Sequence, residues 1–152
     1  MQHGLPEYLR QWYRDWFLID RFYTTWAKRY DLTYASLFTL YTLHTQRECT
    51  PSYIAEFLSL SKQTVASTLR RMSDKELIRS ETSSSDRRSQ IVTLTEKGRA
   101  FADEVMTSLY GMEQRAFSRL TDTEIGEMIR INSRLASAIQ AELEEDGNAP
   151  ER

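Results

Sequence analysis

Between Leu5 and Tyr30 the apolar positions Leu9, Trp12, Trp16, Ile19, Tyr23, Trp26 and Tyr30 recur by threes and fours. That spacing predicts a helix with a continuous apolar seam. Tyr13, Phe17 and Phe22 widen the stripe beyond what one packed face needs. A helix apolar over so much of its girth must be covered from more than one side. The simplest cover in a small chain is a second subunit.

Further along, the polar positions mark where each element starts. Thr33 caps a second helix with Leu37, Leu40, Tyr41 and His44 (or Phe38) inward. Thr50–Pro51 sets an N-cap hydroxyl before proline at the first helical position, opening a short helix through Ile54, Ala55, Phe57 and Leu58. Ser61 caps another, reaching about Lys75, in which Val65, Leu69 and Met72 fall on one side. After Leu77 the period changes. Ile78–Glu81 and Gln90–Leu94 read as two short strands around the polar stretch Thr82–Ser89, a hairpin with a long tip. Thr95 caps a long helix bearing Phe101, Val105, Leu109, Met112, Ala116 and Leu120. Thr121–Asp122–Thr123–Glu124 reads as a capping box for a last helix with Ile125, Met128, Asn132, Leu135, Ile139 and Leu143 on one stripe. From Glu144 onward the composition is that of an acidic tail.

The expected fold is mainly α with a small β-hairpin wing. Its division is a winged core over 33–95, dimerisation helices over 5–30 and 96–143, and an acidic tail over 144–152, all within one domain of 152 residues. Composition agrees with a soluble globular chain: no segment approaches the roughly 18 uncharged apolar residues of a membrane span, and the start lacks the basic-then-apolar signature of a secretory leader. Cys49 is the one cysteine, so no internal disulfide can form, which suits a reducing cytoplasm. With two histidines besides, the chain is too poor in soft ligands for a structural zinc cage, and no metal or other cofactor is expected.

Charge changes the picture through its distribution. The net of −2 argues mildly against nucleic acid, yet residues 121–152 hold eight acids against three arginines, and 61–90 holds seven bases against four acids. The middle is basic and the end is acidic.

Two short helices joined by a tight turn and followed by a hairpin make a winged helix-turn-helix. Its second helix fits the major groove with its N-terminal residues toward base edges. With Val65, Leu69 and Met72 inward, the opposite face holds Ser61, Lys62, Gln63, Thr64, Ser67, Arg70 and Arg71. Short polar and cationic side chains are what base reading and phosphate gripping require. The tip offers Ser83–Ser84–Ser85–Asp86–Arg87–Arg88, a small-residue stretch followed by two guanidiniums. An arginine there can enter a narrow minor groove, and Asp86 is placed to orient Arg88 by a charge-assisted hydrogen bond.

The run from Leu32 to Phe101 resembles the MarR family of transcriptional regulators. The resemblance is carried by Leu32–Thr33, Ile54–Ala55–Glu56–Phe57–Leu58, Ser61–Lys62–Gln63–Thr64–Val65, Asp74–Lys75–Glu76–Leu77–Ile78–Arg79, and above all Asp86–Arg87–Arg88 followed by Leu94–Thr95–Glu96–Lys97–Gly98. It implies that Asp86 and Arg88 are the wing pair and that Gly98 is the glycine at the start of the long dimerising helix. Two departures stand out: Ser67 where relatives often carry arginine, and Glu76 where glycine is more usual. The resemblance further implies a symmetric homodimer on a pseudo-palindromic operator. It would act as a sequence-specific, ligand-responsive repressor of transcription in a bacterial or archaeal cytoplasm, with no membrane partner. A small-molecule effector would sit between dimer body and winged core, where Trp16, Tyr23, Trp26, Tyr41 and His44 are the candidate lining. A redox role for Cys49 is a weaker expectation, because a sensing thiol in the family sits in the first helix near tyrosines.

Two rival readings fit the residues less well. A winged-helix dimer that binds protein instead of DNA predicts a neutral or apolar recognition surface, whereas Lys62, Arg70, Arg71, Arg87 and Arg88 make it cationic. A small helical enzyme needs a nucleophile–base–orienter set or a phosphate loop, and none stands out. No catalytic residues are expected.

Overall fold

A computed structural model describes residues 6–82 and 90–147. Helix α1 runs Glu7–Ala27 and passes into a 3-10 turn, Lys28–Tyr30; α2 is Tyr34–Gln46, β1 Glu48–Cys49, α3 Pro51–Phe57 and α4 Lys62–Asp74. The hairpin strands are β2 Ile78–Thr82 and β3 Gln90–Leu94, and the last helices are α5 Glu96–Phe117 and α6 Asp122–Gly147. The expected fold class therefore holds: helices with a small antiparallel sheet. Helix α6 extends into the segment expected as an acidic tail over 144–152.

Every helix start read from a capping residue carries that cap. Thr33 Oγ1 accepts from Ser36 N–H at 3.1 Å, Thr50 Oγ1 from Tyr53 N–H at 3.1 Å, and Ser61 Oγ from Thr64 N–H at 3.0 Å. Thr95 Oγ1 accepts from Gly98 N–H at 2.9 Å. At Thr121 the box closes both ways: its N–H donates to Glu124 Oε2 at 2.8 Å, while its Oγ1 accepts from Glu124 N–H at 3.3 Å. Each side chain satisfies a helical N–H that has no partner within the helix.

Three helical ends use one device without glycine. Asp31, Ser59 and Glu76 hold φ of 53°, 51° and 58°. In each case the next residue is a leucine whose N–H reaches back five positions: Leu32 to Ala27, Leu60 to Ala55 and Leu77 to Met72. These are Schellman closures, with a left-handed residue then an apolar one folding back. Glu76 thus performs the turn that the more usual glycine would perform. Its carboxylate lies 3.0 Å from Lys97 Nζ, and its carbonyl accepts from Thr95 Oγ1 at 2.7 Å.

The sheet has three strands in the order β1-β3-β2, not the two read from the sequence. Strand β1 is only two residues, Glu48 opposite Thr93 and Cys49 opposite Val92. The hairpin pairs Ile78 with Leu94 through to Thr82 with Gln90.

The chain forms two compact units, divided between Thr107 and Ser108. In the first, Trp26, Leu37, Leu40, Leu43, Ile54, Val65, Met72, Val92, Leu94 and Val105 are buried. Gly98 is pressed against the turn after α4. A Cβ on it would lie 1.8 Å from the Leu77 carbonyl oxygen, so only glycine allows this approach of backbones. In the second unit α6 leaves Ile129, Ile131, Leu135, Ile139 and Leu143 exposed.

Two inward readings differ from the structure. In α4 the buried residues are Val65, Thr68 and Met72, with Leu69 only half-buried. Thr68 lies three residues after Val65 and four before Met72, at the centre of the buried face, and Leu69 falls at its edge. Phe57 of α3 is 50% exposed and stacks on Tyr53 with ring centroids 5.7 Å apart. Tyr41 and His44 are half-buried, and Leu43 lies deeper than either. Leu120, expected on the long helix, lies beyond the end of α5 at Phe117, and both it and Ala116 are exposed.

Candidate nucleic-acid interface

Helix α4 is presented on a rigid frame. Its start is capped by Ser61, its end is closed through Glu76, and Val65, Thr68 and Met72 anchor it to the core. The rest of its surface is open. Lys62, Gln63, Ser67, Arg70 and Arg71 are exposed, and Thr64 is half-buried.

The predicted readers are not equivalent. Thr64 Oγ1 lies 2.8 Å from Ser61 Oγ, and the Ser67 hydroxyl donates to the Thr64 carbonyl at 3.0 Å. Both hydroxyls are engaged locally and keep only part of their hydrogen-bonding capacity for a ligand. Gln63 carries a free amide at the second position of the helix, with both a donor and an acceptor to offer. Among the described residues, Lys62, Arg70 and Arg71 have no ion-pair partner. Asp86, Arg87 and Arg88 lie outside the described residues.

Beside the exposed face lies a cleft of about 400 Å³ between α3, α4 and the hairpin strands. Lys62, Arg70, Ser52, Ser73, Ser80 and Gln90 give it a polar, cationic wall over Val65, Ala66 and Leu69. Sequence reasoning missed Ser52, Ser80 and Gln90. No local pattern marks them, because only the packing of α3 and the hairpin against α4 brings them to the same cleft. The half-exposed Leu69 belongs here, as part of the cleft floor.

The five candidate ligand-lining residues sit in different surroundings. Trp16 is 58% exposed and packs on Trp12, whereas Trp26 is 2% exposed and packs on Tyr30. Tyr23 stacks edge-on against Phe38, with centroids 5.4 Å apart. Tyr41 is half-buried on α2. His44 Nε2 pairs with Asp103 Oδ1 at 2.9 Å, tying α2 to α5. The cleft beside α4 contains none of the five. Among the described residues no group of three or more His, Cys, Asp or Glu side chains could hold a metal ion.

Cys49 is buried on β1. Burial pushes its thiol pKa up, and the neighbouring Glu48 pushes it the same way. A reactive sensing thiol needs the opposite shift.

With this geometry in place, comparisons with known proteins are informative. Residues 32–90 match the model of the MarR family. A MarR family regulator from Neisseria meningitidis superimposes with a TM-score of 0.80 at 28% identity, covering 93% of this chain and 99% of its own. MepR from S. aureus, in a complex with DNA, gives a TM-score of 0.74 at 24% identity, covering 88% and 99%. A mutant MarR from E. coli, complexed with operator DNA, gives 0.72 at 18% identity, covering 87% and 98%. No curated protein matches the chain. No described helix is long and apolar enough to cross a membrane.

Proposed function

We propose that this chain, whose residues 32–90 match the model of the MarR family, is a sequence-specific DNA-binding transcription regulator that works in the cytoplasm as a homodimeric repressor on a pseudo-palindromic operator. The observation that carries the reading is α4: a capped, core-anchored helix with Gln63 free to read a base edge and Lys62, Arg70 and Arg71 free to grip phosphates. Asp86, Arg87 and Arg88 complete the interface from the wing.

Dimerisation is supported by two exposed apolar faces. Helix α1 leaves Tyr8, Trp16, Phe17, Leu18 and Ile19 in the open, and α6 leaves Ile129, Ile131, Leu135, Ile139 and Leu143. Contiguous exposed apolar surface of that kind marks an association face. A two-fold dimer presents two recognition helices to two half-sites about one helical turn apart.

Response to a small amphipathic effector is part of the same proposal. Its support is the aromatic load of the first two helices, where Trp16 is exposed and Tyr23, Tyr41 and His44 are half-buried. Titration with aromatic acids, following tryptophan emission and DNA release together, tests it. Emission that changes without DNA release removes the regulatory part.

The central test is affinity for DNA flanking the protein's own gene against mixed-sequence duplex, each at several salt concentrations. Tighter binding to the flanking DNA, with log affinity falling linearly in log salt, is expected. Equal, weak binding to both rejects sequence-specific regulation at that site.

A further inference from the structure

A second cleft, of about 300 Å³, opens on the other flank of α4, where the 3-10 turn and the first turn of α2 meet the end of the recognition helix. Lys28, Asp31, Thr33, Arg71 and Lys75 line it above Met72. Its single carboxylate is already matched. Lys75 Nζ donates to Asp31 Oδ2 at 2.5 Å and to the Asp31 carbonyl at 2.9 Å. That pair carries no net charge. Lys28 and Arg71 have no ion-pair partner among the described residues, so the cleft presents two uncompensated cations.

Its position relates it to the first cleft. Lys62, Ala66, Leu69 and Ser73 run along one flank of α4, and Arg71 and Lys75 along the other. A helix lying in a major groove has one phosphodiester backbone beside each flank. A duplex seated on the reading face would set one strand beside the first cleft, with Lys62 and Arg70.

We propose that the second cleft seats a backbone phosphate of the other strand, held by Lys28 and Arg71, so that the end of the first helix is part of the DNA interface. This rests on the DNA-binding reading above. The occupant is a duplex because the cleft is continuous with the reading face. Arg71 belongs to the same helix as Gln63 and Arg70, so a duplex engaged by those residues carries its backbone past the cleft. Nothing in the first helix's apolar pattern pointed to Lys28, whose position beside α4 comes from the turn at Asp31.

The test compares the full chain with Lys28→Gln, Lys28→Arg and Arg71→Gln for binding to mixed-sequence duplex DNA across a salt series. Each lost phosphate contact removes about 0.9 from the slope of log affinity against log salt. Lys28→Gln is therefore expected to lower the slope by about 1 per protomer and to weaken binding roughly 3- to 10-fold at low salt. Arg71→Gln should do the same, and Lys28→Arg should keep the wild-type slope. Arg10→Gln, which removes a cation of α1 paired with Glu7 at 2.5 Å, should change nothing. If wild type binds duplex and Lys28→Gln binds with unchanged slope and affinity, this proposal is overturned while the DNA-binding reading stands. If wild type binds no duplex at any salt, both fall together. If Lys28→Gln loses only affinity for inorganic phosphate and keeps its affinity for duplex, the cleft is a small-anion site and the proposal is overturned.

Discussion

At the scale of single residues, backbone conformation decides more than side-chain chemistry. Gly98 has no room for a methyl group, because the atom it would meet is the Leu77 carbonyl, which cannot swing away as a side chain can. Gly98→Ala should destabilise the fold by about 2–4 kcal/mol, through overpacking against backbone. Denaturant unfolding measures it; a loss under about 0.5 kcal/mol would mean that the close approach is not required. Glu76 is the converse case. It occupies φ 58° without glycine's freedom, and its ion pair with Lys97 joins two well-exposed side chains, an arrangement of little worth. Glu76→Gly should therefore stabilise by about 0.5–1 kcal/mol by relieving the left-handed strain. Thermal unfolding of the two proteins side by side gives the sign.

Among the elements, α4 and the hairpin are expected to divide the work of DNA binding. Gln63→Ala should erode discrimination at particular base pairs by roughly 1–3 kcal/mol, where its amide makes a bidentate contact. Arg88→Ala should weaken binding to all sequences and reduce the salt slope, because fewer counterions are released. Affinities of folded dimers for specific and random duplex separate the two effects. Wild-type affinity of Arg88→Ala for both DNAs would remove the wing from the interface. Helix α6 makes a different prediction, about pH. Its box holds the Glu124 carboxyl below the usual range, first through the Thr121 N–H and then through the Thr121 hydroxyl. A depressed folded pKa gives stability that is present above the unfolded pKa and lost as pH falls through the folded one. The stability difference between wild type and Glu124→Gln should thus shrink as the solution is acidified. Unfolding curves from neutral to acidic pH will show it, and a difference independent of pH would exclude the carboxylate as its source.

For the whole molecule, the expected unit is a dimer. Each protomer leaves aromatic and aliphatic side chains of α1 and α6 exposed, and desolvating such faces is the main favourable contribution to association. Sedimentation at micromolar concentration should give twice the monomer mass. Charged replacements on the exposed face of α1, Phe17→Glu with Ile19→Glu, should shift it toward monomer and weaken operator binding together. A compact wild-type monomer that still binds DNA at one half-site would end the dimer model.

How much of this was legible beforehand follows from the range of the interactions involved. The caps at Thr33, Thr50, Ser61, Thr95 and Thr121 act within three residues of themselves, so those helix starts were readable from local chemistry alone. The polar face of α4 was readable for the same reason, since helical periodicity sorts positions without reference to the rest of the chain. Tertiary structure alone decided the rest. Strand β1 exists only because Glu48 and Cys49 find Thr93 and Val92, more than forty residues on, and two residues carry no periodic signal. The burial of Thr68 in place of Leu69 depends on how α4 is rotated against its neighbours. Both clefts beside α4 depend on chain segments far apart in sequence: Ser80 and Gln90 on one side, Lys28 on the other. Local propensity and capping set the helices of this protein; contacts between distant segments set strand β1 and which side chains meet at a common site.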